Sequence, residues 1–500
     1  AMVPMPSHRP DSLWAPARRP LTVGLVLTIT LVASEALAVA TAMPIVAGDL
    51  GGLELYGWVF SAFFLGTLIG ISVVGGLIDE RGMVLPFVGG LVLFAIGLLI
   101  CGLAPTMETV VVGRFVQGLG AGAVPPVAYV AIGRSMPDRL RPQMFATLSA
   151  AWVLPGLFGP VVAGFVAEIW HWRLVFLGLL PLIVVAGSIA FRALRAIPDQ
   201  PVAGRGGRAG AGEGAAEDAG EDVSAGRRDA RAERRRRYAW AVVVSIGAGL
   251  LMMGLLSEQP PVFVAASLVG LAVTLVAFRR LTPPGTLRLA RGYPAAVLLR
   301  GFLTFAFFAV DVNVTLLLQE VRGWSALEAG LAVTAATLAW SAGSWIQARA
   351  VGRIGAEHFV QIGFPIVALG MAGLAPVLLP EVPAWIAIPT FAVAGLGMGF
   401  SYSQFAIIVL RDAPRDAQGA VTAAVSLSDA LGTALGAGIA GAILAASLRA
   451  GAGAAPGLGA TIAMGVGVAL LGFLLAPRLH HRSAGVTTKP DSGEAGGVAA

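Results

Sequence analysis

The chain has 500 residues, 57% of them hydrophobic and only 12% charged, with a mean hydropathy of +0.82. A soluble domain carries about 25% charged residues, so this chain must use lipid as its solvent, which excludes a cytosolic enzyme, a secreted disulfide scaffold and a disordered regulator. The net charge of +6 would suit nucleic acid, but the placement of the charges gives another reason for it. A single cysteine, Cys101, permits no intrachain disulfide, and a single lysine, Lys489, excludes a phosphate-binding loop of the G-x-x-x-x-G-K-S/T type.

Residues 1–20 read as a disordered cytoplasmic N-terminus. Fourteen apolar segments follow, near 21–43, 55–78, 85–104, 108–132, 143–167, 174–195, 238–257, 261–279, 293–318, 326–349, 358–379, 384–410, 417–446 and 457–477. As helices, all are long enough to cross a hydrocarbon core of about 30 Å, and they lack the alternating polarity of barrel strands. The expected fold class is an all-α polytopic membrane protein with 14 transmembrane helices. The first segment contains Glu35 and is too long for the apolar region of a cleaved leader. Segments within 21–195 form a first group of six. Residues 196–237 are rich in Ala, Gly, Arg, Glu and Asp without apolar periodicity, and read as a disordered cytoplasmic linker. Arg234 to Arg237 end it at the membrane surface, suited to anionic lipid headgroups. A pair of segments occupies 238–279, a short cytoplasmic linker 280–292, and a second group of six 293–478. Residues 479–500 read as a disordered cytoplasmic tail.

With the N-terminus in the cytoplasm, 29 of the 34 Lys and Arg residues fall in cytoplasmic segments or the span ends beside them. Arg173, Arg322 and Arg449 fall outside, and Arg114 and Arg300 lie within spans. The positive-inside rule then places both termini in the cytoplasm of an inner (plasma) membrane. The basic balance is a topology signal. The expected partners are the bilayer, its anionic headgroups and a small-molecule substrate, not nucleic acid, and the expected state is a monomer.

An ionisable residue at a span centre costs on the order of 2.5–3.5 kcal/mol by insertion scales. Glu35, Arg114, Asp311 and Asp429 are such residues, and Arg300, one to two turns from a cytoplasmic end, is placed to snorkel. His8, His171, His358, His480 and His481 fall in loops, tails or at a span edge, so carboxylates must carry any transported proton. At 1.5 Å per residue, Glu35, Arg114 and Asp311 lie about 12, 9 and 10 Å from the outer ends of their spans, with Asp429 nearer the midplane. Low dielectric drives a carboxyl toward its neutral form, and a nearby arginine pulls it back. Glu35, Asp311 and Asp429 are therefore candidate proton-coupling residues, with Arg114 as charge partner. Two alternatives stand beside this: a static Glu35–Arg114 pair that fixes helix packing, and Asp429 as a solvated group or substrate ligand.

Four motifs carry a family resemblance. Ser34-Glu35-Ala36-Leu37-Ala38-Val39-Ala40-Thr41-Ala42-Met43-Pro44 is similar to the first-span pattern L-D-x-T-x-V-N-V-A-L-P, with Ala40 and Leu37 in place of its asparagine and threonine. Gly75-Gly76-Leu77-Ile78-Asp79-Glu80-Arg81-Gly82 resembles the loop G-x-x-x-D-R/K-x-G-R at Gly75, Asp79 and Gly82. Arg114-Phe115-Val116-Gln117-Gly118-Leu119-Gly120 matches R-x-x-Q-G-x-G throughout, and Gly156-Leu157-Phe158-Gly159-Pro160 resembles the glycine-proline motif of exporters. Together they resemble the major facilitator superfamily, in its fourteen-span drug:proton antiporter branch (QacA-like exporters).

The resemblance implies two six-helix bundles related by a pseudo-twofold, with residues 238–279 as an inserted pair and substrate bound between the bundles. It implies that the loop at Gly75, Asp79 and Gly82 helps latch the bundles, and that Gln117, Gly118, Gly159 and Pro160 serve packing and bending. It also implies a proton-coupled antiporter rather than an enzyme, with the proton as coupling ion and no cofactor. Phe63, Phe308, Trp340, Tyr402 and Phe405 are candidate cavity residues for lipophilic, cationic or amphipathic compounds. An exporter or flippase of an endogenous lipid or natural product is the alternative on the same scaffold. A non-transporting receptor is more remote, because it does not need ionisable groups in one layer.

Overall fold

The computed structural model describes residues 12–137, 139–197, 216–414 and 417–480. Among these residues all regular structure is helical. The first bundle contains α1 (Arg19–Leu50), α2 (Tyr56–Arg81), α3 (Val84–Gly102), α4 (Met107–Ala121), α5 (Val124–Ser135), α6 (Arg141–Ala150), α7 (Val153–Val166), α8 (Arg173–Leu177) and α9 (Leu179–Arg195). Three traverses are interrupted. The α4–α5 traverse breaks at Gly122 and Ala123, just before Pro125, and the α6–α7 traverse breaks at Ala151 and Trp152, before Pro155. Proline has no N–H to donate, so a helix restarts there more readily than it runs through. The third traverse, α8–α9, is divided at Gly178.

A helix pair follows, α10 (Ala216–Leu256) and α11 (Pro260–Leu281). The second bundle contains α12 (Tyr293–Leu316), α13 (Ala326–Ile354), α14 (Ala356–Ala372), α15 (Ala387–Ser401), α16 (Gln404–Asp412), α17 (Gln418–Arg449) and α18 (Ala454–Leu475). The start of α1 and the end of α18 share one face, here the termini face, and the opposite side is the far face. α10 packs along α11 and touches both α2 and α17, so the pair lies over the seam where the two bundles meet on that side.

Thirteen helical stretches are long and apolar enough to cross a bilayer, which makes the protein an integral membrane protein. The expected count of fourteen is not reached because α13, though 29 residues long, falls outside that set. Glu328 and a series of serines, threonines and glycines dilute its apolar character. α13 is nonetheless firmly started: Ser325 accepts from the Glu328 backbone N–H, and the Glu328 carboxylate accepts from Ser325 N at 2.9 Å, a reciprocal cap that satisfies orphan donors.

The segments expected to be disordered differ in part. Leu13 is buried against the termini end of the first bundle and its carbonyl accepts from Thr22 Oγ1 at 3.2 Å, so order begins before residue 20. At the other end Leu479 is buried, while residues 481–500 lie outside the described residues. Within the expected linker, residues 198–215 lie outside the described residues, but 216–237 form the start of α10. Ala, Arg and Glu are strong helix formers, and the membrane span that follows supplies the nucleus for the helix to extend back.

Candidate functional site

Buried charge in the first bundle is concentrated at one pair. Arg114, from α4, donates through Nη1 to Glu35 Oε1 on α1, and the two side chains are 2% and 0% exposed. The same nitrogen donates to Gln117 Oε1 at 2.8 Å, and Nε donates to the Val59 carbonyl of α2 at 3.3 Å. The guanidinium also lies 4.2 Å from the centre of the Phe63 ring. Gln117 is one turn beyond Arg114, so the helix itself brings both to the same face. Glu35 Oε2 and Gln117 Nε2 are buried with no hydrogen-bond partner. The expected Glu35–Arg114 pairing is therefore present, with one carboxylate oxygen left over.

A second cluster forms in the other bundle, and here the expected position of Arg300 is corrected. Arg300 does not snorkel to the termini face. Its Nε donates to Asp429 Oδ1 at 2.9 Å, its Nη1 donates to the Tyr402 carbonyl, and its guanidinium carbon lies 3.1 Å from the Tyr402 ring centre. The Tyr402 hydroxyl closes the set by donating to Asp429 Oδ2 at 3.1 Å. A carboxylate within reach on α17 outcompetes solvation at the membrane edge because leaving either charge unpaired inside the bundle is costly. Tyr402 is offered to Arg300 by the break between α15 and α16. The cluster is less sealed than the first: the Asp429 side chain is 25% exposed.

Asp311, on α12, is half-buried and stands apart from both pairs. Among the described residues it has no hydrogen-bond or ion-pair partner. Its helix face is defined by what lies one turn either side. Phe308 meets Phe64 of α2 at 6.1 Å between ring centres, and Thr315 Oγ1 donates to the Ala40 carbonyl of α1 at 2.6 Å. Asp311 thus lies on the face of α12 turned to the first bundle.

A row of six rings connects the two charged clusters. Phe63, under Arg114, contacts Phe64 at 5.5 Å, and Phe64 contacts Phe308 across the seam. Phe308 meets Phe307 at 5.4 Å, Phe307 meets Trp340 at 5.7 Å, and Trp340 meets Tyr402 at 5.1 Å, under Arg300. Four of the five expected cavity residues, Phe63, Phe308, Trp340 and Tyr402, lie on this row. Phe405 does not: it is fully buried in the core of the second bundle, because it sits on the packed side of α16.

The motif residues are positioned as follows. Gly82 ends α2 with φ 75°, a conformation that favours glycine. Asp79 lies in the last turn of α2, and Gly75 faces Tyr238 of α10. Gly118 lets α4 approach the backbone of α2 at Phe63. Gly159 does not make the close approach expected of it; a side chain there would meet Leu37 at an ordinary 3.6 Å. The tight crossing is made by its neighbours Gly156 and Gly164 against α13 of the other bundle, and Pro160 lies against Gly330 of the same helix.

Polar contacts between the bundles occur near the far face. Tyr56 Oη donates to the Val312 carbonyl at 3.0 Å, Ser61 Oγ to Ala434 O at 2.9 Å, and Gln319 Nε2 to Thr41 O at 3.2 Å. Glu168, in the π-helical turn Ala167–His171 after α7, accepts from the backbone N–H of Ala326 and, at 3.4 Å, of Leu327. It thereby caps α13 from the opposite bundle. Sequence reasoning missed Glu168, Tyr56 and Gln319, since nothing local marks a residue whose partner is on another bundle. Arg300 and Asp429 are each legible in the sequence as embedded charges, but they lie on the ninth and thirteenth segments, and only the packing of α12 against α17 makes them a pair.

Comparison with known proteins agrees with this architecture. Residues 23–437 match the model of the Major Facilitator Superfamily. The chain is 25% identical over 415 residues to the multidrug transporter protein MdtP of Bacillus subtilis, covering 80% of this chain and 71% of that protein. It is 22% identical over 407 residues to the multidrug efflux pump SdrM of Staphylococcus aureus, covering 77% and 81%. The xylose transporter XylE from E. coli superposes with a TM-score of 0.60 at 14% identity, covering 92% of this chain and 99% of that one. Two helical bundles that each hold a buried ion pair, together with a family match over residues 23–437, place this chain in the Major Facilitator Superfamily, as a membrane transporter and not an enzyme.

Proposed function

We propose that this transporter is a proton-coupled exporter of lipophilic cations, of the fourteen-span drug:proton antiporter branch, working by alternating access. The observation that carries the reading is the balance of charge embedded in the spans. Glu35 is paired with Arg114 and Asp429 with Arg300, and Asp311, on the face of α12 turned to the first bundle, has no counter-charge. A site that holds an excess negative charge beside a row of aromatic rings suits a cation with an apolar body. The names of MdtP and SdrM, a multidrug transporter and a multidrug efflux pump, support efflux as the direction. Here α13 is the fourteenth crossing, both termini are cytoplasmic, the protein works as a monomer, and the far face is the outer face.

In this reading the far-face contacts hold the outer side shut while substrate enters from the cytoplasmic side. Protons arriving from outside load Glu35 or Asp311, displace the cation outward and favour return. Glu35 Oε2, unpaired while Oε1 keeps Arg114 in place, is the atom available for that proton. One proton moving down 100 mV and one pH unit supplies about 3.7 kcal/mol, enough to sustain a gradient of several hundred-fold for a neutral substrate at one-to-one stoichiometry.

The test is reconstitution in proteoliposomes with an imposed pH gradient and a panel of lipophilic cations, neutral drugs and fluorescent lipids. Cation accumulation that collapses with the gradient supports the reading. Uphill transport indifferent to both pH and voltage overturns it, and transport confined to the lipids favours the endogenous-lipid alternative.

A further inference from the structure

The cluster on α12, α15–α16 and α17 has the parts of a receptor for an organic cation, and the protein fills it with a cation of its own. Three attractive groups converge on the Arg300 guanidinium: the Asp429 carboxylate at 2.9 Å, the Tyr402 carbonyl, and the face of the Tyr402 ring. Both carboxylate oxygens are oriented, one by Arg300 and the other by the Tyr402 hydroxyl at 3.1 Å. The backbone carbonyl of Asp429 is fixed by Thr304 at 3.2 Å and Thr433 at 2.9 Å. Trp340, 5.1 Å from Tyr402, extends the ring surface toward the seam. The site is thus rigid in its receptor parts, while its occupant hangs on a flexible stem from α12.

We propose that Arg300 is a built-in stand-in for substrate, and that a planar organic cation of the amidinium, guanidinium or aryl-iminium class takes its place against Tyr402 and Asp429. This rests on the export reading above and names the substrate chemistry of that path. The 25% exposure of Asp429, against 7% for Arg300, shows which member a visitor reaches first. An incoming cation meets the carboxylate edge, and Arg300 swings away from the ring as the newcomer stacks. An anion entering for Arg300 would instead have to share the site with Asp429, so like-charge repulsion opposes it. The internal competitor sets a threshold: a cation binds only if its stack and ion pair exceed those of Arg300. A cation too small to cover the Tyr402 ring is therefore rejected.

The experiment measures binding of ethidium, tetraphenylphosphonium and laurate to the purified full chain in detergent. Wild type is compared with Arg300→Gln, Arg300→Lys, Asp429→Asn and the Arg300→Gln/Asp429→Asn double variant, with thermal unfolding followed for each. Arg300→Gln is expected to bind planar ethidium about tenfold more tightly than wild type, with a smaller gain for the non-planar phosphonium. Arg300→Lys, which keeps the charge but loses the planar stack, is expected to fall between. Asp429→Asn and the double variant are expected to bind ethidium at least tenfold more weakly than Arg300→Gln. Unchanged or weaker ethidium binding in both folded Arg300 variants overturns the proposal, as does laurate binding that depends on Arg300. If wild type moves cations up a pH-driven gradient yet Arg300→Gln gains nothing, the stand-in fails and the export reading survives. If no variant binds or moves any cation, both fail.

Discussion

Glu35 and Arg114 illustrate how a membrane protein retains charge in lipid. Neither is tolerable alone, and together they leave Glu35 Oε2 and the neighbouring Gln117 Nε2 as buried atoms without a hydrogen-bond partner. Arg114→Ala leaves a buried carboxylate without its partner and is expected to destabilise the fold by about 3–5 kcal/mol, read as a lower unfolding temperature in detergent. Glu35→Gln keeps the shape and the bond from Arg114, so folding is expected to survive while pH-driven efflux falls to background. Asp311→Asn should do the same with less effect on stability, because Asp311 has no ion pair to lose. Full wild-type efflux from both carboxamide variants in everted vesicles would refute the coupling role. The embedded charges themselves were legible in the sequence, since an ionisable residue in an apolar run has few reasons to persist. The direction in which Arg300 turns was not, because its choice between the membrane edge and Asp429 depends on how far α17 lies from α12.

At the scale of elements, the seam between α7 and α13 shows packing set by the absence of side chains. Gly156 and Gly164 bring the helices together where any Cβ would collide with the partner helix, as small residues do in lipid, where close backbone contact replaces the hydrophobic effect. Gly164→Val is expected to cost about 1–3 kcal/mol and to loosen the far side, seen as faster proteolysis of the α13 N-terminus. Gly159→Ala, at a position with room, is expected to be nearly neutral for stability. Glu168 makes the second contact of this seam, and its carboxylate suits the positive end of α13. Glu168→Gln is expected to weaken the far-side seal by about 0.5–2 kcal/mol, read as a larger open fraction between spin labels on Ala167 and Leu327. The glycine-proline motif announced a special helix in the sequence, but its pattern does not say which glycine meets the partner. That is set by the rotation of α7 against α13.

For the whole molecule, the contacts described between the bundles bear on the alternating-access cycle proposed above. The hydrogen bonds from Tyr56, Ser61, Thr315, Gln319 and Glu168 lie on the far side, and a molecule held there must release them to open. Spin labels at Glu54 and Ala450 on the far face, and at Gly133 and Arg411 on the termini face, are expected to report opposite changes. Because protonation favours return to the state with the far side shut, acidification should shorten the first distance and lengthen the second, whereas parallel changes would contradict rocking. The α10–α11 pair touches both bundles through α2 and α17, and Arg449 donates to the Leu256 carbonyl at 2.5 Å. That bond ties the pair to the second bundle at the far face, so it is expected to move with α17 and slide on α2.

The sequence by itself determined that this protein lives in a membrane, that its spans are helical, and that a few charges are kept inside them. Composition, run length and the cost of burying an ion are local quantities, and a chain cannot hide them. It also marked the first-bundle pair, because the motifs around Glu35 and Arg114 lie in recognisable order. Only the tertiary structure decided the partner of Arg300, the isolation of Asp311, the cap that Glu168 places on α13, and the row of rings from Phe63 to Tyr402. Each of these depends on distances and rotations between helices remote in the chain. In lipid those are fixed by close packing of small residues, which one sequence read along its length does not reveal.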